Sequence, residues 1–221
     1  MTNEKFNKNY DVFHAFLVEQ AEYDGRIELP CIRTSSELPE RMVPFSKAMS
    51  GSMQDHGQWV HFYEHDKNFE RLWNNPRRYL SKLKKFKGII SPDFSLYRNM
   101  PLVMQEWNTY RGRALAVWLQ NNGIEVLPNV RWNDERTFDF CFDGIEKHKT
   151  VAVGTLGCIK RTEDKAYFKN GLETLVQRLS PETIIVYGAS PDAVFKKYRQ
   201  AGIRILSFES EFSKSRKQVT A

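Results

Sequence analysis

Seven polar residues of this chain occupy the same kind of position. Asp93, Asn129, Arg131, Asp134, Thr155, Tyr187 and Glu209 each fall at or just after the end of a short apolar run. If those runs are parallel strands, the seven converge on one rim, because parallel sheets bind ligands at the carboxyl ends of their strands. Two or more carboxylates beside an arginine can hold a divalent cation or do acid–base work. The same groups can equally cap a sheet as a structural polar network. On the functional reading Asp93 is the acid–base or metal-ligating candidate, Arg131 and Arg111 would meet phosphate, and Trp132 and Tyr187 offer stacking surfaces.

Three further patterns bear on chemistry. Gly154-Thr155-Leu156-Gly157 ends a strand shortly before a helix, with Lys160 and Arg161 close behind. Backbone N–H groups and two cations there would cradle a phosphate. The turn is neither GxGxxG nor a Walker A loop, so a tight turn with surface charges competes with that reading. Gln105, Asn108 and Arg111 lie on the flank of a long helix, away from its apolar stripe. Near the helix start they would face the crevice beside Asp93, or else simply be solvated. HFYEH at 61–65 fits the HxxEH zinc pattern. Its flanking residues are strand formers, and four residues of strand span roughly 13 Å, too far for two histidines to share an ion. No metal ligands are assigned and the cofactor is unknown. No nucleophile elbow occurs, and the five scattered histidines support no Ser-His-Asp order.

The elements that must position these residues centre on 88–132, which reads as strand, loop, long helix, strand. Pro101 suits a first helical turn, having no N–H to leave unpaired. Val103, Trp107, Tyr110, Ala114, Val117 and Trp118 recur at three- and four-residue steps as one apolar stripe, and Asn121-Asn122-Gly123 ends the helix. Strand 59–63 and helix 69–86 precede this unit, with Pro76 kinking or dividing the helix. Stretch 138–145 is a strand or an irregular turn. Strand 150–156, helix 167–179, strand 183–187, helix 192–201 (Ser190 as N-cap, Gly202 as stop) and strand 203–208 follow. Ahead of residue 58, Tyr10, Phe13, Phe16 and Leu17 suggest a short helix within 1–26, closed at Asp24-Gly25. Residues 27–32 suggest a strand, and Pro30, Pro39 and Pro44 suggest loops.

Six strands counted from residue 59, alternating with helices, give an α/β fold: a mostly parallel β/α sheet, incomplete or irregular and barrel-like, with an N-terminal helical extension. An open doubly wound sheet is the alternative. The barrel-like form is preferred because no dinucleotide fingerprint marks a switch point. The expected division is an extension over 1–57, a core over 58–212 and a flexible tail over 213–221.

Charge and composition bound the function. The chain has 221 residues, 41% of them hydrophobic and 13% aromatic, enough to build a core. Its net charge of +6 suits an anionic partner, such as nucleic acid or a phosphorylated small molecule, or plain solubility. Cys31, Cys141 and Cys158 form no CxxC pair and read as reduced thiols. No apolar run approaches the ~20 residues of a membrane span, and MTNEKFNKNYDVF is too polar for a signal peptide. A cytoplasmic protein with no membrane partner is expected.

SPDFSLYRNMP, NTYRGRALAVWLQNNGIEVLPNVRW, FDFCFDGI, VAVGTLGC and IIVYG, in that order, resemble a domain-of-unknown-function family of bacteria, phages and other mobile genetic elements. The resemblance covers about residues 58–210. It implies an accessory protein of a phage, plasmid or integrative element, with Ser91, Asp93, Tyr97, Gln105, Asn108, Arg111, Pro128, Arg131, Trp132, Thr155, Gly157, Tyr187 and Gly188 as site positions. The leading expectation is binding of a nucleic acid or phosphorylated ligand at the strand ends. A hydrolase using the strand-end carboxylates and an inhibitor or adaptor that binds a host protein are the alternatives.

Overall fold

The computed structural model describes residues 11–211 and Ser213. Tyr10, counted on the N-terminal helix, and the tail from Lys214 lie outside the described residues. Where that helix was expected, one 3-10 turn spans Ala15–Val18. His14 and Gln20 sit on either side with φ of 53° and 64°, left-handed values that stop a helix from extending. A two-residue antiparallel pair follows, β1 (Tyr23–Asp24) with β2 (Leu29–Pro30), in place of the strand expected over 27–32.

The parallel sheet starts earlier than the six strands counted from residue 59. Strand β3 (Met42–Pro44) pairs parallel with β4 (Trp59–His61), and helix α1 (Phe45–Ala48) lies between them. Pro44 is compatible with a strand here because β3 is an edge strand, where a missing N–H breaks no ladder. Pro76 divides the next helical stretch into α2 (Asp66–Asn74) and α3 (Pro76–Leu83), with the Asn75 side chain capping the second. Strand β5 (Gly88–Ile90), helix α4 (Leu102–Asn121) and strand β6 (Val126–Leu127) form the expected unit, and Gly123 takes φ 80° just past the helix. Then come β7 (Thr150–Gly154), α5 (Thr162–Leu179), β8 (Thr183–Tyr187), α6 (Asp192–Gln200) and β9 (Arg204–Phe208). Ser190 does not cap α6; Pro191 holds that position, and Ser190 instead meets Arg199 and Ser207.

All seven strands from β3 to β9 are parallel and neighbour one another in chain order, as β3-β4-β5-β6 and β7-β8-β9. A parallel bridge between Asn129 and Ala152 joins the two groups. The order never reverses, so there is no switch point of the doubly wound kind. Alternation along each strand separates two faces. Met42, Trp59, Ile90, Leu127, Ala152, Ile185 and Tyr187 share one apolar cluster, packed by Leu206 and Phe208, to which all seven strands contribute. Val60, Ile89 and Val126 point the other way, into a core with α1, α2, α3 and α4; Val151, Val153, Ile184 and Val186 point into a second core with α5 and α6. The sheet therefore curls around its own interior and carries its helices outside. No pairing joins β3 to β9 among the described residues, so the barrel stays open.

Helix α4 departs from its expected stripe. Val103, Met104 and Trp107 are exposed, at 68%, 49% and 45%, while Gln105, Asn108, Arg111 and Arg113 are buried. The first half of the helix faces backbone that needs donors, not apolar side chains. Gln105 donates to the Met100 carbonyl and Asn108 to the Ser95 carbonyl. Arg113 donates to the carbonyls of Asp143, Asn129 and Cys141. Burial draws its pKa down to about 10, which leaves it charged at neutral pH. Replacing it by methionine keeps most of the volume but leaves three carbonyls without this donor. Each buried unmet group costs about 1–3 kcal/mol, so Arg113→Met should lose roughly 3 kcal/mol or more in urea unfolding. A loss below about 1 kcal/mol would contradict the carbonyl clamp.

Candidate functional site

Four loops meet at the carboxyl ends of the strands: 62–65 after β4, 91–100 after β5, 128–133 after β6 and 155–158 after β7. The Asp93 carboxylate ties two of them together. Its Oδ1 accepts from the Asn129 amide at 2.8 Å and its Oδ2 from Arg131 Nη1 at 2.6 Å. Asn129 is engaged on every side. Its N–H donates to Ser91 Oγ, its side-chain oxygen accepts from the Tyr63 hydroxyl at 2.9 Å, and its carbonyl accepts from Arg113. Ser95 donates both its N–H and its hydroxyl to Asp66, which opens α2.

Burial pushes the Asp93 carboxyl up, against the pull of Arg131 and the Asn129 amide. Burial also works against the Arg131 charge, but Asp93, Cys158 and Asp66 together hold that pKa above its ordinary value. Burial and the Asp93 carboxylate raise the Tyr63 phenol well above its usual range, so it stays a donor. The result is a closed carboxylate–guanidinium pair on a satisfied polar base. Arg131 Nε, in contrast, is buried with no hydrogen-bond partner among the described residues.

Above this pair lie two adjoining cavities of about 360 and 490 Å³. Arg131, Trp132, Leu156, Cys158 and Phe168 line both. The first is completed by Tyr63, Glu64, His65, Asn68, Asp93 and Ser95, the second by Tyr97, Arg98, Gly157, Asp164 and Tyr167 among others. Trp132 packs on the Phe168 ring at 5.1 Å between centroids. A Cβ on Gly171 would lie 2.1 Å from its indole, so glycine there lets the indole rest on the α5 backbone. In the second cavity the Arg98 guanidinium lies 4.7 Å from the Tyr167 ring centre and pairs with Asp164.

The residues singled out from sequence divide into three groups. Asp93, Arg131 and Trp132 line the first cavity, with Ser91 and Asn129 directly beneath; Tyr97 and Gly157 line the second. Gln105, Asn108 and Arg111 lie behind the 91–100 loop and line neither cavity. They hold that loop: Arg111 bonds Glu70 and Asn108 and covers the Phe94 ring at 4.0 Å. Thr155, Tyr187 and Gly188 join the ends of β7 and β8, where Thr155 Oγ1 donates to the Ala189 carbonyl. A Cβ on Gly188, at φ 113°, would meet that Oγ1 at 2.5 Å. Tyr187 faces inward, stacked on Tyr63 at 4.8 Å with 11° between the rings. The Pro128 carbonyl takes part in the β6–β7 bridge, accepting from Ala152 N–H. Asp134 caps a 3-10 turn and pairs with Arg136.

Sequence reading missed Glu64, His65, Asn68, Cys158 and Tyr167 as cavity residues. Glu64 and His65 stand just after a strand, the same signal that marked Asp93, but the zinc pattern drew attention to their spacing instead. Tyr167 stands at the start of the expected helix 167–179, but α5 begins at Thr162, and its first two turns bring Asp164, Tyr167 and Phe168 to the crevice. The acidic Glu163 and Asp164 occupy that helix N-terminus, which weakens it as the phosphate cradle expected near 154–157.

The family described as a domain of unknown function (DUF4417) matches residues 21–209. The "Gene 1 protein" of Mycobacterium phage L5 is 35% identical over 168 residues, 76% of this chain and 73% of the phage protein. That of Mycobacterium phage D29 is 36% identical over 168 residues, 73% of this chain and 60% of the phage protein. No solved structure matches the chain.

Cys158 offers a chemical reporter of the crevice. Burial raises its thiol pKa, with Arg131 pulling the other way. It should therefore be mostly thiol at neutral pH, and its alkylation by iodoacetamide should keep rising beyond about pH 9 as the reactive thiolate forms. Buried Cys141, also pushed up by burial, should stay unmodified in the folded protein. Timed alkylation with peptide mass spectrometry checks both. Reaction of Cys158 at the rate of a free thiol near pH 7 would contradict its half-buried place in the crevice wall.

Proposed function

The chain belongs to the DUF4417 family, and on that premise we propose that it is a phage- or mobile-element-type accessory protein that binds a phosphorylated ligand of nucleotide type in the strand-end crevice. One observation carries the reading. Arg131 is fixed by Asp93 through a single nitrogen, while its side chain stays 30% exposed at the wall both cavities share. A guanidinium can serve a carboxylate and a phosphate oxygen together because its donors are spread around a planar fork. Trp132, Phe168 and Tyr167 supply flat apolar surface beside it, as a nucleobase requires. Cavities of this size suit a small molecule or a single nucleotide better than a duplex. The hydrolytic alternative is weaker, because both Asp93 oxygens are occupied and its role is to hold Arg131.

Isothermal titration with nucleoside mono-, di- and triphosphates tests the proposal. Binding should be salt-dependent and should protect Cys158 from alkylation. Arg131→Gln should weaken it by about ten- to a hundredfold, the worth of one charged hydrogen bond. Trp132→Phe should reduce it less. Absence of binding and of any melting shift with every one of these nucleotides at low salt would remove the reading.

A further inference from the structure

A second anionic partner is implied at the opposite rim. Residues 71–92 contain seven Lys and Arg (Arg71, Arg77, Arg78, Lys82, Lys84, Lys85 and Lys87) and no Asp or Glu. The whole chain has 33 basic and 27 acidic residues, so the remainder holds 26 and 27 and is close to neutral. The net positive charge is thus concentrated in one segment, α3 and the turn after it. Three of the seven are occupied: Lys82 donates to the carbonyls of Met49 and Ser50, Arg71 lies over the rings of Phe45 and Tyr79, and Arg77 lies over the Phe16 ring at 3.7 Å. Arg77 and the other four, Arg78, Lys84, Lys85 and Lys87, are all exposed. None of the five forms a salt bridge among the described residues.

Their place in the fold separates them from the crevice. Lys84–Lys87 lead into the start of β5, so they lie at the amino ends of the strands while the cavities lie at the carboxyl ends. Asp55, just ahead of β4 at that same end, is already taken by Arg41. The exposed carboxyl end of α3 favours cations in its last turn, which lets like charges gather there. Interleaved apolar residues turn inward: Leu83 and Phe86 are buried and Leu80 is half-buried, leaving nothing to insert into a bilayer.

We propose that this face is a docking surface for the phosphate backbone of a nucleic acid, distinct from the strand-end crevice. It requires no particular sequence, since phosphates position a protein and base edges specify it. The test is a titration of a labelled duplex and a labelled single strand at several salt concentrations. Four phosphate contacts, from Arg78, Lys84, Lys85 and Lys87, predict a slope of log affinity against log salt of about −3 to −4. The triple variant Lys84→Gln/Lys85→Gln/Lys87→Gln should bind at least about tenfold more weakly and flatten that slope by about 2–3. Arg78→Gln, probing the other end of α3, should also weaken binding, and both variants should melt like the parent. Arg131→Gln should leave oligonucleotide binding unchanged. No binding to either oligonucleotide near 50 mM salt overturns the proposal, as does equal binding by both variants. Binding only to phosphatidylserine vesicles would overturn it in favour of a membrane. Because these variants spare the crevice, nucleotide binding there stands or falls separately.

Discussion

The contact on which the rest of the strand-end region depends is the one carboxylate of Asp93 shared between Asn129 and Arg131. Strands β5 and β6 are short, with only two Cα pairs in register. So brief a ladder does little to fix what comes after it. The bonds from Asp93 to the two side chains, and from Ser91 to the Asn129 N–H, extend the pairing beyond the strands by means of side chains. A buried carboxylate without such partners would cost several kcal/mol. With them it positions a guanidinium that would otherwise have several rotamers to choose from.

Helix α4 explains how an irregular loop can be held so close to that pair. The 91–100 segment has no regular structure over most of its length, yet much of it is buried. Buried loop carbonyls need donors, and α4 supplies them with Gln105 and Asn108, while Arg111 fixes the orientation of Asn108 and roofs Phe94. Two residues after Arg111, Arg113 does the same for the 141–143 turn and for Asn129. The helix thus acts as a row of donors along one side of the site, and its apolar residues take over the inward face only from Ala114 on.

How much of this was legible in the residues follows from which force decided each feature. The six strands from β4 to β9 and the stops at Gly123 and Gly202 come from local signals, apolar runs and residues tolerant of positive φ, and these read directly. Strand β3 did not, because Pro44 disqualifies an interior strand and only the tertiary arrangement makes it an edge. The polar flank of α4 reads as facing the crevice or solvent, and it is instead buried behind the 91–100 loop, while Val103 and Trp107 of the apolar stripe are exposed. Hydrophobicity could not foresee a neighbour made of backbone. Tyr187 and Thr155 stand at strand ends as expected, but the two-residue alternation that sends Ile185 inward sends Tyr187 inward as well, away from the crevice. Position along a strand was readable; which side of the curled sheet a terminal residue faces required its curvature.

That curvature stops short of closure, and the gap has its own consequence. Among the described residues, β3 and β9 each keep one side without a strand partner, and such edges are where chains join one another in domain swapping and aggregation. The β3 edge is three residues long and ends in proline, so it offers little for another strand to grip. Strand β9 is five residues long and mostly half-buried or exposed, and no proline interrupts it. Lys47 and Glu211 span the seam as an ion pair beside it. Among the described residues, the open side of β9 is therefore the better of the two edges for strand addition, and that ion pair stands next to it.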